Sequence, residues 1–422
     1  MIFSKYIIHH LDLSTDLEHI QDVGYPAHYC VFWYKSIPLG EAYLFFREPI
    51  TPRQFWQECI KAIKPTLRQF AFRNTTFTGQ FADPEPELSG IRDLCERALG
   101  GFHPEDCEEV CDVSVVICTR NRAHYLRNCL ESLRGQRSKP AEIIVVDNAS
   151  LDDETRKVTE EFQVRYVRED IRGLDVARNT GARAARSSIV AYTDDDTQPD
   201  TYWVYRVSET FRDPAIAAMT GLVIAASLET EAEVIFEKFW PFNRGYVSRI
   251  FDNRFFHASL PSGPPVWEIG AGANMAFRKD IFEEVGYFDE RLDVGAAGCS
   301  GDSELWYRML ACRFTIRYNP LAVVYHRHRD SIRGLRKQLY SYMRGFTVAI
   351  LIQYQRFGHR GNLQHLFRVL PSWYLSLLKK GFPRYHFQYK TLFAELGGIV
   401  AGFLYYLRHR NTDSKIYSND SF

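Results

Sequence analysis

The sequence Ser188-Ile-Val-Ala-Tyr-Thr-Asp-Asp-Asp-Thr-Gln-Pro199 joins an apolar run directly to three carboxylates. An apolar run of this length, bounded by turn-forming residues, predicts a buried strand of a parallel sheet. Ligands of open α/β sheets bind at the carboxyl ends of such strands, which is where Asp194, Asp195 and Asp196 are placed. Three adjacent anions repel one another unless a cation or hydrogen-bond donors offset their charge. Magnesium and manganese prefer hard oxygen ligands together with substrate phosphates. The stretch therefore predicts a metal–diphosphate site.

The alternative is that this acidic run only forms a turn and caps the helix that follows, with Asp200 contributing. The surrounding chain bears on the choice, because strands and helices alternate on both sides of the run. This alternation predicts a parallel sheet with right-handed crossovers. The predicted elements are strand 113–118, helix 123–134, strand 142–146, helix 152–162, strand 164–167, helix 174–185 and strand 189–192.

Polar residues cluster at the ends of two other predicted strands. One cluster is Thr119-Arg-Asn-Arg122, and the other begins with Asp147 and Asn148. The carboxylate of Asp147 can accept hydrogen bonds from a nucleobase or a ribose hydroxyl, and arginines suit phosphate. Each cluster alone is typical of a turn, but three on one sheet edge indicate a nucleotide site. The arginines that could contact phosphate are Arg120, Arg122 and Arg178.

Several segments together resemble the family 2 glycosyltransferases, inverting enzymes of the GT-A fold that use nucleotide-diphospho-sugars. The resemblance extends over residues 113–344, and the order of its motifs makes it specific. The segments that carry it are VSVVICTRNRAHYLRNCLESL (113–133), EIIVVDNASLDD (142–153), GLDVARNTGARAA (173–185), IVAYTDDDTQPD (189–200), GAGANMAFRKDIFEEVGYFDERL (270–292), SGDSELWYRML (300–310) and NPLAVVYHRHR (319–329).

The fold class predicted in this way is α/β. The resemblance implies a GT-A domain, a Rossmann-like and mostly parallel sheet flanked by helices, over residues 113–332. Composition predicts a small α+β module over 1–81, a linker over 82–112, a basic aromatic helical region over 333–410 and a disordered tail over 411–422.

The resemblance also implies the roles of several residues. Asp147 corresponds to the acid that contacts the base, with Thr119 beside it. Asp194 and Asp196 correspond to the ends of the D-x-D signature, in which Asp196 ligates Mg²⁺ or Mn²⁺ directly and Asp195 lies next to the nucleotide sugar. His326 corresponds to a histidine near the diphosphate or metal, although a lone histidine can equally be a core residue.

Asp302 corresponds to the acid of the family's Glu–Asp pair, its catalytic base, but Gly301 stands here where the family has Glu. An inverting transfer needs one base to take the proton of the acceptor hydroxyl. The alternative role for Asp302 is a helix N-cap. Because a helix N-terminus favours an ionised carboxylate, we expect Asp302 to be a weak base until substrate binding desolvates it. Glu304 and Asp293 are the other candidates for the base.

The segment Gly270-Ala-Gly-Ala-Asn-Met-Ala276 matches the G-x-G-x-x-A pattern of dinucleotide sites. No clean apolar strand precedes it and no helix follows at once, so an oxidoreductase is disfavoured. We interpret it as a loop whose glycines let the backbone approach the sugar, with Asn274 bonding the sugar hydroxyls.

The C-terminal part of the chain is basic and aromatic. Residues 326–410 contain fifteen Lys or Arg and two acids, Asp330 and Glu395. This composition favours helices lying on an anionic bilayer over nucleic-acid binding, for which no motif is present. A helical cap on the acceptor side is the alternative. No apolar run reaches the roughly 18–20 residues of a membrane span, the N-terminus does not resemble a signal peptide, and the nine cysteines show no zinc spacing. We therefore expect a cytoplasmic protein, peripheral on the inner face of the membrane.

These observations predict an inverting glycosyltransferase. It would move a sugar from a nucleotide-diphospho-sugar to a hydroxyl of a glycan or lipid-linked acceptor, in polysaccharide or cell-surface glycan synthesis. The alternative from another class is a non-catalytic nucleotide- or carbohydrate-binding protein that kept the fold.

Overall fold

The computed structural model describes residues 5–15, 17, 27–45, 50–74, 81–100, 102 and 107–411. Almost all of the segment predicted to be a disordered tail, residues 412–422, lies outside the described residues. The boundaries proposed for the separate domains stay a prediction.

The N-terminal part forms a three-stranded sheet with two helices packed against it. Strands β1 (Tyr6–Asp12) and β2 (Ala27–Tyr34) are parallel, and β3 (Ile37–Leu44) is antiparallel to β2. Helix α1 (Pro52–Arg73) begins at a capping box made by Thr51 and Gln54, with proline in its first turn, where no donor is lost. It continues through Pro65 because its second half also buries apolar residues against the sheet. Helix α2 (Leu88–Leu99) lies within the predicted linker and joins the same core.

The second face of β2 packs on the rest of the molecule. Tyr29 and Val31 share a buried cluster with Leu222 of the central sheet and with Leu335 and Leu339 farther along the chain. The N-terminal sheet therefore contributes to two cores, one on each of its faces.

The central sheet has nine strands in the order β10-β12-β9-β11-β7-β4-β5-β6, with β8 paired to β12. Strands β7, β4, β5 and β6 are parallel neighbours, as the alternation predicts, whereas β11 runs antiparallel to both β7 and β9. The strands are β4 (Val110–Thr119), β5 (Lys139–Asn148), β6 (Arg165–Glu169), β7 (Ile189–Asp194), β8 (Thr197–Pro199), β9 (Ile216–Ala225), β10 (Arg249–Phe251), β11 (Asn274–Arg278) and β12 (Thr315–His326).

Helices cover both faces of this sheet because its strands are apolar on both sides. Val116 and Val190 face one core together with α5 and α10, while Val115 and Ala191 face the other with α3 and α6. The predicted mostly parallel sheet flanked by helices is confirmed. The helices are α3 (Ala123–Arg134), α4 (Glu154–Phe162), α5 (Leu174–Ala184), α6 (Trp203–Thr210), α7 (Glu231–Phe239), α8 (Asn253–Ser259), α9 (Ile281–Glu284) and α10 (Gly301–Ala311).

The C-terminal region is helical, as predicted. It comprises α11 (Ile332–Phe357), α12 (Arg360–Gln364), α13 (Leu370–Gly381) and α14 (Leu392–His409), with a π-helical turn over His365–Val369. Helices α11 and α14 pack closely, since a Cβ at Gly398 would overlap the carbonyl oxygen of Tyr340 and one at Gly402 would lie 2.7 Å from that of Arg344. Among the described residues, no helix combines the length and apolar character needed to cross a bilayer.

Candidate active site

The strand ends singled out in the sequence meet at one edge of the central sheet. In the parallel pairing, Thr119 lies beside Asp147, and Cys118 lies beside Asp194. The carboxyl end of β12 brings His326 next to Thr197, just after the acidic triplet. The clusters are therefore adjacent because their strands are parallel and in register.

The acidic triplet is held by Thr119, the last residue of β4, and by Arg122 from the loop that follows. Thr119 donates from Oγ1 to Asp195 Oδ2 at 2.7 Å. Arg122 lies 2.6 Å from Asp195 Oδ1 through one terminal nitrogen and 2.6 Å from Asp196 Oδ2 through the other. Arg122, predicted to contact phosphate, thus neutralises part of the triplet. Asp200 accepts from the Tyr202 N–H at 3.1 Å in the turn before α6, but the N-cap of that helix is Tyr202.

The three carboxylates differ in their proton affinity. Burial, reinforced by Asp196, raises the pKa of Asp194 to about 6. Burial also raises the pKa of Asp195 to about 7, although Arg122 opposes the shift. For Asp196 burial raises the pKa too, but the positive charges near it, Arg122 among them, bring it below its ordinary value. Asp196 is therefore the member of the triplet that stays ionised most firmly.

His326 faces Asp196 at the end of a buried polar chain. Its Nε2 lies 3.4 Å from Asp196 Oδ1 and its Nδ1 lies 3.1 Å from Nδ1 of His328, whose Nε2 is 2.8 Å from Glu237 Oε2. Burial lowers the pKa of His326 to about 4, so the ring is neutral at pH 7. In the tautomer of His328 that donates from Nε2 to Glu237, its Nδ1 accepts from His326 Nδ1, and the Nε2 lone pair of His326 then faces Asp196.

A lone pair facing a carboxylate oxygen is repulsive, and a cation between them removes the repulsion. One ligand atom each from Asp194, Asp196 and His326 lie within 4.8 Å of one another. Two carboxylates and a neutral imidazole form a donor set that suits Mn²⁺ or Mg²⁺, so these residues fit the predicted metal. His328 and Glu237 were missed by the sequence analysis, and the spacing of two histidines at i and i+2 was the available signal.

Asp147 and Asn148 are buried and engaged by the protein. Asp147 accepts from the Ser150 N–H at 3.1 Å, from Tyr166 Oη at 2.8 Å and from Arg168 at 3.0 Å. Asn148 accepts from the Gly173 N–H at 2.9 Å and donates to the Ile171 carbonyl at 2.7 Å. These two hydrogen bonds tie the loop after β6 to the end of β5.

Arg120 donates from Nε to the carbonyl of Ala149 at 3.2 Å, an interaction that links the loops after β4 and β5. This leaves its terminal nitrogens, which are only partly buried, on the same edge of the sheet.

Arg178, Gly272 and Asp302 lie together on the other side of the acidic triplet. The buried Arg178 donates from Nη1 to Asp175 at 3.0 Å and to Asp293 at 2.7 Å. A Cβ at Gly272 would lie 2.7 Å from Arg178 Nη2 and 2.9 Å from Asp302 Oδ2. A side chain at position 272 would therefore crowd both groups, which agrees with the interpretation of this segment as a close-approach loop.

The environment of Asp302 differs from the expected one. It is not the N-cap of α10, which is Ser300, and it accepts from the backbone N–H groups of Ser303, at 2.6 Å, and of Gly272. Burial raises the pKa of Asp302, against the opposing effect of Arg178. The prediction that the helix terminus keeps it a weak base was therefore wrong, because burial outweighs the helix dipole.

The other two candidates for the base are held in ion pairs. Glu304 is fully buried against Arg308 at 2.8 Å and Arg356 at 2.8 Å. Asp293 pairs with Arg178. Of the three candidates, Asp302 alone has no ion pair within 4 Å among the described residues.

The prediction that Asn274 bonds sugar hydroxyls was wrong. Its side chain is fully buried, accepts from Trp203 Nε1 at 2.9 Å, and donates to the carbonyls of Leu222 at 3.0 Å and Ala322 at 2.9 Å. The pairing of β12 with β9 shifts between Asn319 and Val323, and Ala322 lies in this irregularity. The amide of Asn274 thus satisfies backbone groups beside the irregularity.

Comparison with known proteins gives a match to one family model, Glycosyl transferase family 2, over residues 114–286. The chain is 29% identical over 234 residues to a pre-mycofactocin glycosyltransferase of Mycobacterium tuberculosis, covering 53% of this chain and 44% of that protein. It is 26% identical over 185 residues to a glucosyl-dolichyl phosphate glucuronosyltransferase of Haloferax volcanii, covering 42% of this chain and 56% of that protein. The chain thus spans about half the length of the curated relatives it matches.

Among solved structures, a mannosyltransferase of Pyrobaculum calidifontis in complex with GDP-Man and Mn²⁺ aligns with a TM-score of 0.46 and 16% identity. The alignment covers 83% of this chain and 98% of that one.

The structural role of Asn274 predicts a stability defect. Replacing Asn274→Ala leaves three buried polar groups unpaired, and each such group costs about 1–3 kcal/mol. We expect the free energy of unfolding, measured in urea, to fall by at least about 3 kcal/mol, with the exposed Asn128→Ala as control. A variant that unfolds like the wild type but loses nucleotide-sugar affinity would restore the hydroxyl-binding interpretation.

Proposed function

We propose that residues 114–286, which match the model of glycosyl transferase family 2, form a domain of that family, and that the protein moves a sugar from a nucleotide-diphospho-sugar to a hydroxyl of a glycan or lipid-linked acceptor. The transfer inverts the anomeric configuration, and the product belongs to a polysaccharide or cell-surface glycan. One observation carries the proposal: Asp194, Asp196 and His326 converge at the sheet edge, and Arg178 interacts electrostatically with both Asp194 and Asp302. A diphosphate site and a base thus share one cleft.

The metal site in this proposal consists of Asp194, Asp196 and His326. A bound Mg²⁺ or Mn²⁺ supplies neutralisation of the charge on the departing diphosphate. The His328–Glu237 chain presents the lone pair of His326 to the cluster, and Arg122 holds Asp195 and Asp196 in place. The side chains of Thr119, Arg120, Asp147 and Asn148 form the wall against which the nucleotide lies.

Asp302 is the base in this proposal. It takes the proton of the acceptor hydroxyl on the face of the sugar opposite to the leaving group, as inversion requires. The N–H groups of Gly272 and Ser303 fix the orientation of its carboxylate. Burial gives it a higher proton affinity than that of an exposed aspartate, which brings its pKa closer to the working pH of a general base.

We also propose that the C-terminal helices contact an anionic membrane. Helix α14 exposes four apolar side chains at helical spacing on one side, with exposures of 52–61%. The Phe367 ring lies 5.6 Å from that of Phe403, and the Tyr385 ring lies 5.1 Å from that of Phe393, so neighbouring segments extend this face. The four residues on α14 are Phe393, Val400, Leu404 and Leu407.

The exposed apolar face belongs to a segment with a large excess of positive charge. Residues 360–410 contain eight Lys or Arg and a single acid, Glu395. Glu395 is buried and bonded to Thr391 Oγ1 at 2.6 Å and Tyr374 Oη at 3.0 Å, so it does not oppose an anionic surface. An apolar strip bordered by basic residues is typical of a helix at a membrane interface.

The metal site is tested by the binding of a nucleoside diphosphate in the presence of Mn²⁺. Asp196→Asn keeps the size of the side chain but removes a charged ligand. We expect calorimetry to show at least about a tenfold loss of affinity, as for other disturbed metal sites, and EDTA to have the same effect on the wild type. Asp213→Asn, an exposed acid at the opposite end of the sheet, serves as control. Tight binding that ignores both EDTA and Asp196→Asn would contradict the metal site.

Asp302→Asn tests the base and separates catalysis from mere binding. Loss of general-base catalysis typically lowers rates by about 10²–10⁴-fold, so sugar transfer should fall by that factor while donor affinity is kept. Because only the ionised carboxylate accepts a proton, the wild-type rate should also fall as the pH drops through the raised pKa of Asp302. The exposed Asp280→Asn is the control. If wild-type protein binds donor but transfers no sugar to any acceptor tested, the non-catalytic alternative holds.

Membrane contact is tested by sedimentation with phosphatidylglycerol vesicles at low salt. Phe393→Ser with Leu404→Ser should release most of the protein, because each buried apolar side chain contributes about 1.5–3 kcal/mol. Wild-type binding should weaken as salt screens the basic residues. Phe72→Ser, at a residue 94% exposed on α1, is the matched control. Equal sedimentation of both variants, or none of the wild type, would contradict the contact.

A further inference from the structure

In the family resemblance, Gly301 corresponds to the Glu of the Glu–Asp pair, directly before Asp302. The reason for the glycine lies in another element. A Cβ at residue 301 would lie 2.5 Å from both Cγ and Oδ1 of Asp175, and nearer still to Oδ2. Since Cβ atoms do not approach other heavy atoms so closely, a side chain at position 301 and the carboxylate of Asp175 exclude each other.

Asp175 stands in the first turn of α5 and is 1% exposed. Its Oδ1 accepts from Arg178 Nη1 at 3.0 Å. Among the described residues, its Oδ2 has no hydrogen-bond partner although it is fully buried. Buried carboxylate oxygens are almost always paired, so an exception calls for a reason. Such a reason is that Asp175 places a second carboxyl group beside the base, even though its unpaired oxygen lowers the local stability.

We propose that Asp175 supplies, from helix α5, the carboxylate that residue 301 does not carry. In this inference, which rests on the proposed function, Asp175 is a positioning residue for the base. Its contact with Nη1 fixes the guanidinium of Arg178, so that Nη2 points to Gly272 beside Asp302. Residues 175 and 301 are thus a matched pair, in which residue 301 has no side chain and Asp175 contributes the carboxyl group.

Four variants test this pairing by sugar transfer under saturating donor. Asp175→Asn keeps the shape and the acceptor for Arg178 but replaces the buried carboxyl oxygen Oδ2 with an amide nitrogen, so we expect kcat to fall at least about tenfold while the donor KM stays within about twofold. Asp175→Ala should lose more. Gly301→Glu alone should be inactive because the new side chain meets Asp175. Asp175→Ala/Gly301→Glu should recover at least about tenfold over Asp175→Ala, since Glu then enters the vacated space.

Thermal unfolding and diphosphate binding of every variant report folding, and Glu154→Gln in the first turn of α4 is the control. A merely structural role for Asp175 does not predict that a second substitution restores kcat. Wild-type kcat in Asp175→Asn, or a double variant no better than Asp175→Ala, would overturn the inference and leave the proposed function standing. A wild type that transfers no sugar would overturn the proposed function, and this inference with it.

Discussion

The buried guanidinium of Arg178 is the cation on which one side of the cleft depends. It is 4% exposed and forms ion pairs with Asp175 and Asp293, while Asp302 and Asp194 lie within its electrostatic range. Carboxylates buried without such a partner would be protonated or would unfold the site. A single arginine thus permits several acids to converge where a diphosphate and an acceptor would meet. Arg178 and Asp175 lie one turn apart on α5, so the helix that follows β6 provides both members of one of these ion pairs.

The negative charge of the acidic triplet is offset by a different arginine. Arg122 comes from the loop after β4 and bridges two of the three carboxylates, while Thr119 from the end of that strand bonds to Asp195. The remaining oxygens face His326, whose neutral ring is oriented by His328 and Glu237. Arg122 and Arg178 therefore balance only part of the negative charge of these acids, and a divalent ion fits beside Asp194, Asp196 and His326.

The sequence predicted those features that depend on local pattern. The apolar run 189–192 with its three aspartates was correctly placed at the end of a buried strand, and α3 has the predicted bounds. What it could not predict depends on contacts between distant residues. Asn274 looks like a polar loop residue until the irregular pairing of β12 supplies carbonyls for its amide. From the sequence alone, Gly301 is only the loss of a carboxylate. The side chain that fills the adjacent space is that of Asp175, which lies 126 positions earlier. The burial of Asp302, which reverses the expectation from the helix dipole, is equally non-local.

The cluster that joins β2, the central sheet and α11 has a consequence for how this protein could have arisen. Tyr29 and Val31 from the first sheet meet Leu222 from the second and Leu335 from the last region in a single apolar contact. Unlike loosely tethered domains, these three regions cannot be exchanged one at a time without disturbing the apolar contact that they share. A chain cut near residue 333 would leave aromatic and aliphatic surface bare on both remaining pieces. Any ancestor that acquired the outer regions had to adapt all three surfaces together, so those regions and the catalytic sheet are expected to vary in concert.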